Sequence, residues 1–196
     1  MTLIQQMKTF NKVKVFFILI FIFVNIFYIA PSYSLLSRED FFKNALDLSS
    51  RGEFNLALQE WNRYLNYYPD DAAGLSNRGN VRLVIGDLEG SVDDQNKAIS
   101  LNPLEIDPYI NRGIAEEALG LWSKAKKDYM FVISKDNKNF SALYNLANVE
   151  GSTSQWEKAR DLFSKAALLN PGFAMARSSM ALADYQLGNV DESEKE

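Results

Sequence analysis

The chain has 196 residues, 21 of them Lys or Arg and 25 Asp or Glu, for a formal charge of −4, and it has neither cysteine nor histidine. Those absences exclude a Ser-His-Asp triad, a thiol nucleophile, a usual zinc site and any disulfide framework, so packed secondary structure has to supply the stability. The acidic balance disfavours nucleic acid and anionic lipid surfaces as partners, and no cofactor or metal is expected.

In chain order, Lys8, Lys12 and Lys14 precede an apolar run from Val15 to Ala30, interrupted only by Asn25, and Pro31-Ser32-Tyr33-Ser34 follows. Such a segment reads as an export signal, its positive start remaining in the cytoplasm while the run enters the bilayer. As a helix the run spans ~24 Å at ~1.5 Å per residue, against ~30 Å of hydrocarbon. Residues 1–34 are therefore either a signal peptide cut after Ser34 or an uncleaved membrane anchor in a locally thinned bilayer. Both alternatives put residues 35–196 on the non-cytoplasmic side. Without the three leader lysines, 18 basic residues face 25 acidic ones, a formal charge of −7.

From Arg38 onward the chain repeats itself every 34 residues: 38–71, 72–105, 106–139, 140–173 and a partial 174–196. A fixed period of this length means stacked helical hairpins, none of which buries its apolar face alone. Each column of the repeat has a physical task. Position eight is Ala45, Gly79, Gly113, Ala147 and Ala181, small residues where the two helices of a hairpin approach closely. Position fifteen is Gly52, Gly86, Gly120, Ser154 and Gly188, the expected turn with positive φ. Position seventeen (Phe54, Leu88, Trp122, Trp156, Val190) and position twenty-four (Trp61, Gln95, Tyr129, Phe163) fill the space between helices, with Gln95 out of character. Position twenty is Ala57, Ser91, Ala125 and Ala159, and position thirty-two is proline except at Asn137.

Position seven and position twenty-three vary together. Arg78 goes with Asp94, Arg112 with Asp128, Leu146 with Leu162, and Asn44 with Glu60. Side chains facing each other across a hairpin behave this way, so two structural ion pairs are expected, Arg78 with Asp94 and Arg112 with Asp128.

These small, aromatic and proline positions at a 34-residue period resemble the tetratricopeptide repeat family over roughly residues 38 to 196. The strings Tyr109-Ile110-Asn111-Arg112-Gly113 and Asp128-Tyr129 resemble the Asn-Arg-Gly subtype of exported cyanobacterial and plastid repeat proteins. The resemblance implies an all-α, right-handed superhelical solenoid of antiparallel helix pairs, here preceded by the hydrophobic signal or anchor helix. It also implies a non-catalytic scaffold for a protein or peptide partner, set in a thylakoid lumen or periplasm and acting in assembly or maintenance of membrane complexes.

In the family, positions two, five, six, nine, twelve and thirteen line the concave face. Position six here is Asn77, Asn111 and Asn145, and Asn80 and Asn148 follow at position nine. Such a ladder of carboxamides can donate to and accept from the backbone of an extended peptide, or it can merely solvate the surface. Ser76, Ile110, Ile114, Ser141, Tyr144, Ser178 and Leu182 complete a mixed, largely uncharged groove. The family's clamp for C-terminal carboxylates is not matched, since Phe42, Leu46 and Asp107 occupy its positions.

The remaining motifs carry little chemistry. Asp93-Asp94 and Glu116-Glu117 are helix neighbours that diverge by ~100° and cannot work as a facing carboxylate pair. Gly86-Asp87-Leu88-Glu89-Gly90 lacks the preceding strand and following lysine of a phosphate cradle. Asn139-Phe140-Ser141 matches a glycosylation acceptor at a repeat junction. The sequence ends midway through the fifth hairpin's second helix, so Met180, Leu182, Tyr185, Leu187 and Val190 are expected to be under-covered. That leaves a rival reading: a self-associating structural module, dimerising through its C-terminal end.

Overall fold

The computed structural model describes residues 37–188, and the leader and Val190 lie outside them. The chain divides into two units, 1–40 and 41–196. Among the described residues there are no strands, and the helices run in order as α1 (Arg38–Ser50), α2 (Phe54–Tyr67), α3 (Ala72–Ile85), α4 (Leu88–Leu101), α5 (Asp107–Ala118), α6 (Trp122–Lys135), α7 (Phe140–Ser152), α8 (Trp156–Leu169) and α9 (Ala174–Gln186). None of these is long and apolar enough to cross a membrane.

The period is written into the turns. Gly52, Gly86, Gly120 and Gly188 have φ of 76°, 86°, 73° and 75°, and Ser154, the one serine in that column, is forced to φ 60°. At four successive turns the amide just after the left-handed residue bonds back to the carbonyl five residues earlier: Glu53 to Leu48 at 3.0 Å, Asp87 to Arg82 at 2.9 Å, Leu121 to Glu116 at 2.7 Å and Gln155 to Glu150 at 2.8 Å. This closure needs a left-handed residue just past the helix, which glycine adopts without the Cβ penalty. Three helices, α3, α4 and α7, open on side-chain caps that satisfy an otherwise orphaned amide. Asp71 accepts from the Gly74 amide, Asp87 caps α4 through Gly90, and Asn139 accepts from Ala142.

Consecutive helices from α2 to α9 pack on one another, and the alternate pairs α3 with α5 and α5 with α7 also touch. First helices of successive hairpins are thus neighbours, the arrangement of a helical repeat stack. The core sits between the helices of each pair. Ala57, Ala125 and Ala159 are fully buried at position twenty, and so are Trp61, Gln95 and Tyr129 at position twenty-four. A Cβ on Gly113 would come within 2.6 Å of the Tyr129 ring, and one on Gly79 within 2.5 Å of Gln95 Nε2. The small column exists because the large column presses against it. In the first hairpin, Trp61 packs edge-on against Phe42 at 5.0 Å and donates its indole N–H to Ser49 Oγ at 3.0 Å. Gln95 holds its place by donating to the Ser76 carbonyl at 3.0 Å, while its Oε1 finds no protein partner.

Candidate functional site

The charged column forms a ladder through the middle of the stack. Arg78 donates through Nε and Nη2 to Asp94 at 2.8 and 2.6 Å, and through Nη1 to Asn62 Oδ1 at 3.0 Å. One repeat later Arg112 does the same, with Asp128 at 2.7 Å on both contacts and Asn96 Oδ1 at 2.7 Å. Each arginine therefore ties its own second helix to the second helix of the preceding repeat. Both aspartates are buried, and the planar guanidinium meets each carboxylate with two parallel bonds. The hydrogen bond that Arg112 donates to Asp128 raises the Arg112 pKa further, against desolvation. At the next interface all three positions turn apolar together, as Met130 of the third repeat and Leu146 and Leu162 of the fourth, and Leu162 packs on Leu146. Glu60, by contrast, lies 3.9 Å from Arg63 on its own helix.

A second charged register, which the sequence reading missed, joins residues 24 apart. Lys126 Nζ donates to Glu150 at 2.6 Å, and Arg160 pairs with Asp184. At the same register one interface earlier stand Val92 and Glu116. Glu116 is buried, its Oε2 has no partner, and burial first and the Asp128 charge second raise its pKa. Its neighbour Glu117 accepts from Tyr129 Oη at 3.0 Å, and burial raises its pKa too. Burial, then the Glu117 charge, likewise raises that of Tyr129.

Two cavities open on the face that carries the asparagines. The first, about 370 Å³, is lined by Ser76, Asn77, Asn80, Ile110 and Asn111, together with Ala73, Glu105 and Asp107. The second, about 350 Å³, is lined by Asn148 and Leu182 with Glu117, Gly151, Ser152, Trp156, Phe163 and Ser179. Gly151 lets the Trp156 ring pack closely beside it, since a Cβ there would come within 3.1 Å of that ring.

The other groove residues lie elsewhere. Tyr144 is half-buried against Phe163 and Phe173, and Ile114 packs into the cluster around Tyr129. Ser178 bonds back to the Ala174 carbonyl at 3.3 Å, and Asn145 is half-buried outside both cavities. Asn77 Nδ2 is turned back onto the Ala73 carbonyl at 2.9 Å, which leaves its side-chain oxygen as an acceptor. Among the described residues, no group of three or more Asp and Glu side chains could hold a metal ion.

A tetratricopeptide repeat family model matches residues 42–108. The chain is 28% identical over 149 residues to human tetratricopeptide repeat protein 6, covering 76% of this chain and 28% of that protein. It is also 28% identical over 122 residues to a FAM10 family protein of Arabidopsis thaliana, 62% of this chain and 27% of that one. The chain thus spans little more than a quarter of these relatives. Among solved structures, MamA superimposes with a TM-score of 0.69 at 22% identity, over 81% of this chain and 86% of that one. A tetratricopeptide repeat protein from Parabacteroides merdae superimposes at 0.68 and 24% identity, over 81% and 63%. At these identities the likeness is one of fold.

Proposed function

We propose that this chain, built of tetratricopeptide repeats, is a non-catalytic scaffold that holds an extended segment of a protein partner against its asparagine-bearing face. Tetratricopeptide repeats are protein-interaction modules, which supports the general reading. The observation that carries the finer one is the coincidence of both cavities with the face of Asn77, Asn80, Asn111 and Asn148. Concavity with a few convergent polar groups is what a ligand-binding surface requires. Carboxamides suit a peptide backbone because each offers both a donor and an acceptor. The leader supports export or tethering, with the repeats on the non-cytoplasmic side and a thylakoid lumen or periplasm as the setting.

Crosslinking pull-down from native membranes, comparing wild type with an Asn77, Asn111 and Asn145 triple alanine variant of unchanged circular dichroism, tests this. Loss of specific partners is expected, and an unchanged partner set refutes the groove. Self-association is the second reading, favoured by Leu182 and Tyr185 at 53% and 65% exposure on the last described helix. It requires a concentration-dependent mass that falls when either becomes Asp.

A further inference from the structure

The two cavities offer carboxylate and carboxamide acceptors and no cationic donors. At the first, Glu105 and Asp107 are exposed, and among the described residues neither is in an ion pair. Asn77 adds its side-chain oxygen, one of its two side-chain N–H groups being engaged with Ala73. At the second, the Glu117 carboxylate is fixed by the Tyr129 hydroxyl beside the Trp156 ring. No Lys or Arg lines either cavity. Arg78, Arg82 and Arg112 of the first helices are turned instead onto Asp94 and Asp128, and Lys126 and Arg160 of the second helices onto Glu150 and Asp184. The carboxylates that line the cavities, Glu105, Asp107 and Glu117, therefore have no cation among their fellow lining residues.

We propose that the segment held in the groove is basic, with one Arg or Lys side chain seated at Glu105 and Asp107 and another at Glu117 over Trp156. This rests on the groove reading above. A cation at Glu117 offsets the cost of holding a half-buried carboxylate, makes charge-assisted hydrogen bonds, and lies on an aromatic face that attracts positive charge. An acidic segment would instead bring like charge against both cavities. The polarity is opposite to that of a groove built to clamp carboxylates.

The test is selection of a random decapeptide display library on the full-length chain in detergent, in parallel with Glu117→Gln and with a Glu105→Gln, Asp107→Asn double variant. Wild type should enrich peptides with basic residues at two positions, and each variant should lose the preference at one. A selected peptide should bind Glu117→Gln about tenfold more weakly, and raised salt should remove most of that difference. Selected peptides without a basic preference, whose binding the Asn77, Asn111 and Asn145 alanine variant abolishes, overturn the charge assignment while the groove stands. Enrichment no greater than on an unrelated acidic protein overturns both.

Discussion

Replacing Asp128 by Leu should reveal how much the buried ladder is worth. Asp128 is 4% exposed and takes two bonds of 2.7 Å from Arg112, whose side chain is 20% exposed. Removing the carboxylate strands that guanidinium, with Asn96 Oδ1 as its remaining acceptor, at a cost of about 3 kcal/mol, the lower end for breaking a buried pair. With a urea m-value near ~2 kcal/mol/M, the midpoint should fall by about 1.5 M, followed by far-ultraviolet circular dichroism. Changing Asn96, Arg112 and Asp128 together to Met, Leu and Leu reproduces the next repeat's Met130, Leu146 and Leu162, and should stay within about 1 kcal/mol of wild type. Asp94→Leu should be worse than Asp128→Leu, because Arg82 Nη1 also reaches Asp94, at 3.1 Å, and would be left with the Gly90 carbonyl and the more exposed Asp87 while Arg78 is stranded. Coupling below ~0.5 kcal/mol in the Arg112 and Asp128 cycle, or an Asp94 variant milder than the Asp128 one, refutes the reasoning.

Two further substitutions follow from the register. Val92→Lys places a cation where Lys126 and Arg160 stand in later repeats, and should stabilise by ~1 kcal/mol by giving Glu116 a partner. Because the Glu116 pKa is raised above the ordinary 4.5, the native state holds a proton that the unfolded chain releases, so wild-type stability should decline as pH rises from there through the folded value. Urea titrations across that window should show a shallower decline in the lysine variant, and identical slopes would count against a missing partner. At the turns, Ser154→Gly relieves a left-handed serine costing ~1–2 kcal/mol while adding ~0.5–1 kcal/mol of chain entropy, for a rise in Tm of about 2 °C. Gly79→Ala should do the reverse, since its Cβ would drive Gln95 off the Ser76 carbonyl and cost ~1–3 kcal/mol. Differential scanning calorimetry reads both.

What the sequence determined by itself was the repeat and everything local to it. Turn positions, the small column and the large column are each fixed by the conformation or volume of a single residue, so a serine at 154 could be read as a turn as readily as the glycines around it. Arg78 and Asp94 were legible because covariation across 16 residues stays inside one hairpin. The tertiary structure decided what lies between repeats. Asn62 and Asn96 join the arginines across a repeat boundary, and Lys126 meets Glu150 only because first and second helices of different hairpins cross there. It also decided which groove residues share a cavity: Asn77 and Asn111 line one, whereas Tyr144 and Ile114 pack into the core. The alternation of residues along one helix fixes which way a side chain faces, but the hollow it faces is made by the neighbouring hairpin's volume and angle, and no single repeat contains that information.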